Sequence, residues 1–335
     1  MIQVFRNFDR PNSVTKLYSN IHNDILKSYS VIQLIAPKSN AGFCNKLKNI
    51  FWLLKTPGEL FHLTGDNSYF AWALIITGRP YLVTILDMGM PGRRSWLKKL
   101  IFDPCYFLIP LIFAKRIVCI SDYTKTELCK KYKELNRKTD VIHVAVSEYF
   151  TNTRNLVEKD EQCDDVVYVL QIATSNHNKN VGRSIEAIYG TGYHYIFVGD
   201  LSIEYSSQLD YLNIPYSHYK DIDEEQLLTL YDKATILLFP SLYEGFGMPI
   251  IEAQSRGVSV ITSNIPPMND ISGDAAILID PYSVNDIRSA LLRVGSDLNL
   301  RLDLRKKGLE NVNRFLPELI ARKHVNLYKW MKKMY

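Results

Sequence analysis

The sequence predicts an α/β fold built as two Rossmann-like, doubly wound domains facing a cleft. Three observations predict it. Short apolar runs alternate with helical patterns from end to end of the 335 residues, a length that accommodates two domains of ordinary size. The runs of the second half are almost continuously apolar, as in parallel strands covered by helices on both faces. Between the halves lies a polar stretch without strong periodicity, "SEYFTNTRNLVEKDEQCDD" from Ser147 to Asp165, which reads as a linker.

The expected strands of the first half are Ile2–Phe5, Val31–Ile35, Phe61–Thr64, Tyr81–Leu86, Arg116–Ile120 and Val141–Val144. Thr124-Lys-Thr-Glu127 reads as a capping box that opens a helix. In the second half they are Val166–Ala173, Tyr195–Val198, Thr235–Phe239, Val258–Thr262 and Ala276–Ile279. Helical patterns stand between these at Val181–Tyr189, Glu224–Ala234, Pro249–Arg256 and Val284–Leu292. The expected domains are 1–150 and 151–318, with a terminal helix over 319–335 that packs back toward the first domain. In open α/β sheets ligands sit beyond the carboxyl ends of the strands, so the chemistry is expected on loops that follow strands.

With 47% hydrophobic residues the chain can bury real cores. Its five cysteines (Cys44, Cys105, Cys119, Cys129, Cys163) form no C-x-x-C pair, which speaks against a disulfide framework or zinc site and for a reducing compartment. No secretory signal is read at Met1, and the apolar run near Cys105–Ala114 is broken by Pro110, well short of the ~20 residues of a spanning helix. These features place the protein in the cytoplasm. The net charge of +5 hides a split: residues 1–150 carry 21 Lys and Arg against 11 Asp and Glu, whereas the remainder carries 19 against 24. The first half therefore faces something anionic. No zinc finger, arginine-rich run or RNP-like segment marks it for nucleic acid.

The most informative stretch is "FPSLYEGFGMPIIEA", Phe239 to Ala253. A strand runs into a loop, and Pro249 fits the first turn of the helix beyond it, where a missing N–H does no harm. Gly245 and Gly247 let the backbone approach a ligand and aim N–H groups at phosphate. Two carboxylates beside a phosphate need another partner, and sugar hydroxyls fit, since carboxylates accept strong hydrogen bonds from them. A nucleotide sugar offers two sugars flanking a diphosphate. Glu244 then serves one sugar, the backbone serves the diphosphate and Glu252 serves the other. A glycine turn with a helix-start glutamate is the plainer reading of any one of these residues, but not of the whole ordered segment.

That segment, continued through "QSRGVSVITSNIPPMNDISGDAAILIDPYSVNDI", closely resembles the donor-binding segment of the GT-B retaining glycosyltransferases of the large family-four group, the E-x7-E type. "LQIATSNHNKNVGRSIEAI" is similar to their strand–loop–helix with a diphosphate-binding lysine, and "VCISDYTKTEL" and "FHLTGDNSYF" resemble parts of their N-terminal domain. The resemblance implies that Glu244 lies near donor-sugar hydroxyls and that Gly245, Phe246 and Gly247 present backbone to the sugar and diphosphate. It implies that Glu252 binds ribose and that Lys179 neutralises the diphosphate as it departs. Asn178 stands where the family often has arginine, Ile222 where the base is held, and Asp66 and Asp87 at strand ends on the acceptor side.

Two departures accompany it. Leu86-Asp87 stands where many members have His-Asp, and the turn Asn7–Ser13 lacks glycine. The implied function is a retaining hexosyl transfer from a nucleotide-diphosphate sugar to a glycan or lipid-linked sugar, in surface polysaccharide synthesis, by same-face attack and without metal or other cofactor. A non-catalytic nucleotide-sugar-binding subunit of a glycosyltransferase complex is the alternative, motivated by Leu86. His62, His143, His177 and His194 read as structural or surface histidines, with His177 best placed for a role beside Lys179. The stretch "PGRRSWLKKLIFDPCYFLIPLIFAKR" interleaves basic and aromatic residues and reads either as a buried helix pair with solvated basic ends or as a site for an anionic membrane surface; the second reading makes the enzyme peripheral on the inner face of the cell membrane.

Overall fold

The computed structural model describes residues 1–7, 13–39, 42–65, 67–89, 103–152 and 166–335. The chain divides into two compact units, Met1–Ala145 with Pro317–Tyr335, and Val146–Leu316. Each carries a six-stranded, wholly parallel sheet, so both have the alternating architecture of the GT-B class.

The first unit contains β1 (Ile2–Asn7), β2 (Ile32–Ser39), β3 (Phe61–Leu63), β4 (Tyr81–Ile85), β5 (Arg116–Cys119) and β6 (Thr139–Val141), in the order β2-β1-β3-β4-β5-β6. The direction of winding reverses between β1 and β3. Right-handed crossovers then put the helix Ser13–Leu26 on one face of the sheet and the helices that follow β2, β3 and β4 on the other. The C-terminal helix Pro317–Met334 packs on Ser13–Leu26, with the His324 ring 5.7 Å from that of Tyr18, and it buries Ile320, Ala321, His324, Tyr328 and Met331.

Beneath that helix pair a buried polar network joins sheet to helix. His62 on β3 meets the Tyr328 hydroxyl at 2.7 Å through Nδ1, and Thr84 Oγ1 at 2.8 Å through Nε2. Gln3 Nε2 donates to the Tyr328 hydroxyl at 2.9 Å. The His324 ring lies tilted nearby, 5.9 Å from the His62 ring, and its buried Nδ1 has no hydrogen-bond partner among the described residues. Burial holds His62 well below the ordinary histidine range, with the neighbouring His324 adding to the effect, and burial alone pushes His324 down to about 3.

Both rings are thus neutral in the folded protein, while unfolding lets them take protons below about pH 6.5. Their contribution is complete above that pH and is lost as pH falls below it, for His324 down to about 3, at up to about 1.4 kcal/mol per pH unit. Denaturant melts are therefore expected to show stability falling steadily from pH 6.5 to 5, with a shallower slope for His324→Leu. Equal slopes in the two proteins would contradict the placement of a neutral, buried His324.

The second unit contains β7 (Tyr168–Thr174), β8 (His194–Asp200), β9 (Tyr216–Tyr219), β10 (Ile236–Phe239), β11 (Ser259–Ser263) and β12 (Ala276–Ile279), in the order β12-β11-β10-β7-β8-β9. Numbered within the unit this is 3-2-1-4-5-6, the dinucleotide-fold order, with its reversal between β7 and β10. All four residues of β10 are buried.

The structure corrects the sequence expectations in four places. The last strand of the first sheet is Thr139–Val141 rather than Val141–Val144, because pairing with β5 runs from Thr139 to Val141. The capping box expected at Thr124 is a cap at Ser121, whose hydroxyl accepts from Thr124 N at 3.1 Å, so the helix Asp122–Lys131 starts earlier. The expected linker is folded at its start: Val146 and Ser147 are buried, and Phe150 of the helix Glu148–Asn152 meets the Tyr231 ring edge-on at 5.6 Å. The rest of that stretch lies outside the described residues. Finally, β9 and the helices Ile203–Tyr211 and Leu298–Val312 were not expected.

Candidate functional site

The reversal of strand order leaves two neighbouring strands whose following helices depart to opposite faces, and a crevice opens where the loops part. In the second unit those strands are β7 and β10. Their following loops carry Lys179 and Glu244, two residues singled out in the sequence.

After β7 the chain makes a short 3-10 turn, His177–Lys179, and then Asn180 takes a left-handed conformation at φ 59° to cap the helix Val181–Ile188. An asparagine tolerates that backbone, and here its side chain is also used: the buried Nδ2 donates to Pro240 O at 3.0 Å and to Pro281 O at 2.7 Å. Asn178 adds a second stitch, accepting from Leu242 N at 2.8 Å through its carbonyl and donating to Tyr243 O at 3.3 Å through Nδ2. The two loops are therefore tied together by main-chain and amide bonds on either side of Lys179.

Lys179 is held from below as well. Gln171, a buried amide inside the otherwise apolar β7, donates to Lys179 O at 3.0 Å and accepts from the Tyr195 hydroxyl at 2.7 Å. Burial raises the Tyr195 phenol well above its ordinary range, so it stays protonated and can only donate to that amide oxygen. The Lys179 ammonium reaches Glu244 Oε1 at 2.6 Å and lies 5.5 Å from the centre of the Phe239 ring. Both charged groups are partly exposed, at 22% and 15% of their side-chain surface, so the pair is accessible to solvent and to a ligand.

The loop from Glu244 ends in Gly247, which caps the helix Met248–Ser255 at φ 103°, a backbone that disfavours any side chain. A Cβ there would also sit 3.1 Å from Ile250 Cδ1. Phe246 turns inward and meets the Phe315 ring edge-on at 5.7 Å, leaving its main chain as the part a ligand could touch. Pro249 stands within the first two helical positions.

Glu252 lies on that helix and accepts from the Tyr231 hydroxyl at 2.7 Å. Tyr231 is buried, and burial with the Glu252 charge holds its phenol well above the ordinary range, so it too is a fixed donor. Its helix, Glu224–Lys233, is opened by a complete capping box at Asp223, immediately after half-buried Ile222. Asp221 and Asp223, which share a metal-like spacing, are thus a left-handed turn residue and a helix cap.

The structure gathers Lys179, Glu244, Asn178 and the Gly245–Gly247 backbone on two stitched loops, and it puts Glu252 on the helix that follows. Asp87 belongs to the first unit, where it is exposed and accepts from Gly89 N at 2.7 Å in the loop after β4. Asp66 lies outside the described residues. His177 is exposed, His194 bonds Ser217 at 2.9 Å, and His143 lies 3.3 Å from Asp122. Sequence reading missed Gln171, Asn180 and Tyr231. A lone glutamine in an apolar strand was a signal for the first; Asn180, just before the helix at Val181, reads locally as no more than a cap, and Tyr231 is an ordinary helix residue by pattern.

Residues 153–311 match the family model for glycosyl transferases group 1. The chain is 36% identical over 108 residues to O-antigen chain mannosyltransferase B of Escherichia coli, covering 32% of this chain and 28% of that protein. It is 26% identical over 190 residues to the O-antigen chain mannosyltransferase RfbU of Salmonella typhimurium, covering 54% and 51%. The matches span about half or less of these curated relatives. Among solved structures, Anabaena Alr3699/HepE in complex with UDP-glucose superposes with a TM-score of 0.75 at 13% identity, covering 98% of this chain and 99% of that one.

Proposed function

We propose, from the premise that residues 153–311 belong to the glycosyl transferases group 1 family and that both units have the GT-B architecture, that this protein is a retaining glycosyltransferase. It moves a hexose from a nucleotide-diphosphate sugar to a glycan or lipid-linked sugar in surface polysaccharide synthesis, working in the cytoplasm at the membrane surface. The observation that carries this reading is the Lys179–Glu244 pair at the strand-order reversal, beside a glycine-capped helix start. Similarity to two O-antigen mannosyltransferases makes mannose the first sugar to test.

In this reading the donor diphosphate takes over Lys179, and Glu244 turns to the hydroxyls of the sugar. Breaking this partly buried pair leaves neither charge unpaired, because the diphosphate takes over the ammonium and the sugar hydroxyls donate to the carboxylate. Glu252, oriented by the Tyr231 hydroxyl on Oε2, accepts from the ribose hydroxyls. The acceptor hydroxyl approaches the face of the sugar that the diphosphate leaves. As the anomeric C–O bond to phosphate breaks, the new C–O bond forms on the same side and the acceptor proton passes to the departing phosphate oxygen. Lys179 and the Gly245–Gly247 backbone stabilise the charge that grows there. No carboxylate is assigned as a covalent nucleophile, and no step calls on a metal.

Thermal stabilisation by a panel of nucleotide sugars, followed by mass spectrometry of the products, tests this function. Donor consumed only when acceptor is present supports it; binding without turnover supports the non-catalytic subunit instead. Glu252→Ala should weaken bare nucleoside diphosphate roughly ten- to a hundredfold, the loss of hydrogen bonds to a charged group worth about 1.5–3 kcal/mol. Tyr231→Phe should weaken it by a smaller factor, about fivefold, since it frees the carboxylate without removing it. Calorimetry showing wild-type nucleotide affinity in Glu252→Ala would reject the ribose role.

A further inference from the structure

The helix Phe43–Lys55 of the first unit buries Asn49 and Leu53 against its own fold but leaves a second apolar stripe outward. Phe43 is 75% exposed, Leu47 38% and Phe51 61%, at spacings of four residues that align them along one side of the helix. Two shorter helices continue the layer. Ala71–Ile76 packs against Phe43–Lys55, and Ile109–Phe113 packs against Ala71–Ile76, all on the same face of the sheet. They add Ile76, Ile112 and Phe113, which are 69%, 47% and 54% exposed.

The charges within this layer have one sign. Residues 42–57, 67–86 and 104–121 contain six Lys or Arg and no Asp or Glu. Lys48, Lys55 and Lys115 are exposed, and Lys46 lies over the Tyr106 ring at 4.8 Å. Six outward apolar side chains on adjoining helices are more than scattered surface residues, and contiguous patches of this kind mark interaction surfaces. A second copy of the chain is a poor occupant, because a self-complementary interface would set this cationic layer against itself. A surface that is apolar inside and anionic at its face complements it. Among the described residues no helix is long and apolar enough to cross a membrane, so such contact is interfacial.

We propose that the outer layer of these three helices seats the protein on an anionic lipid bilayer. The Phe43–Leu47–Phe51 stripe enters the headgroup region and the lysines meet lipid phosphates. The inference rests on the membrane-surface reading above and gives it a location, on Phe43–Lys55 and Ala71–Ile76 together with the 109–115 end of the Pro91–Arg116 stretch, of which 91–102 lie outside the described residues.

Flotation of the full chain with vesicles tests it at low salt. One set is phosphatidylcholine, the other equal parts phosphatidylcholine and phosphatidylglycerol. Wild type should partition to the anionic set roughly a hundredfold better, about fivefold for each of Lys48, Lys55 and Lys115. Phe43→Ser/Phe51→Ser should lower that partition by roughly a hundredfold, about tenfold per phenylalanine. Lys48→Gln/Lys55→Gln should lower it roughly twenty-fivefold, about fivefold per charge, and added salt should reduce the difference. Nucleotide binding should be unchanged in both variants.

If wild type binds anionic vesicles and both variants bind equally well, the helix layer is overturned while the membrane reading stands. If wild type binds neither set, both fall. If the phenylalanine variant instead turns a dimer into a monomer, with vesicle binding intact, the layer is a protein interface and the proposal is wrong.

Discussion

Glu244→Ala is expected to lower turnover by roughly 10²–10³ while affinity for bare nucleoside diphosphate is nearly kept. The carboxylate is assigned to the transferred sugar, so its hydrogen bonds strengthen only as the sugar approaches the transition state. Removing it also releases Lys179 from its 2.6 Å contact, which leaves the ammonium free for the diphosphate and protects nucleotide binding. The signature is therefore a fall in kcat with little change in the calorimetric Kd for the nucleotide. Glu244→Gln separates charge from hydrogen bonding, since the amide keeps an acceptor without the negative charge. Wild-type turnover in Glu244→Ala would sink the assignment.

Lys179→Ala is expected to be as costly, roughly 10²–10³ in turnover, but with a different pattern. It removes the counter-charge to the leaving diphosphate and also the nucleotide's own contact, so kcat and nucleotide affinity fall together. Lys179→Arg should recover part of the loss, because the charge remains while the compact ammonium geometry does not. The two side chains touch, so the double variant should lose less than the sum of the single losses in free energy. Strict additivity in steady-state kinetics and calorimetry would show that the pair does not act as a unit.

Much of the fold was legible because its strands are short, apolar and buried on both faces. Ala276–Ile279 was placed to the residue, and β10 to within one. The failures have physical reasons. β9 reads Tyr-Ser-His-Tyr, a half-exposed edge strand with no apolar run to announce it. β6 includes Thr139 and Asp140, a polar edge defined by pairing with β5 rather than by composition. The Ser121 cap was hidden because Thr124-Lys-Thr-Glu127 has the same local chemistry three residues later.

At the candidate site, the order of Glu244, Gly245, Gly247, Pro249 and Glu252 could be read because each residue type has a distinct backbone or charge requirement. What could not be read is what spans sequence. Lys179 and Glu244 are 65 residues apart, Tyr231 and Glu252 are 21 apart, and Asn180 reaches Pro281 across 101 residues. Those contacts exist because parallel winding returns β10 to the side of β7, a consequence of topology that local pattern does not encode.

The anomeric configuration of the product tests the central claim most directly. The protein is incubated with an α-configured nucleotide-diphosphate mannose, or with whichever donor the stabilisation screen selects, and a glycan or lipid-linked acceptor. The new linkage is then read by proton NMR. Same-face attack guided by Lys179 and Glu244 predicts an α-linked product, formed roughly 10²–10³-fold more slowly by Lys179→Ala at the same enzyme concentration. A β-linked product, or full transfer by Lys179→Ala, would contradict it.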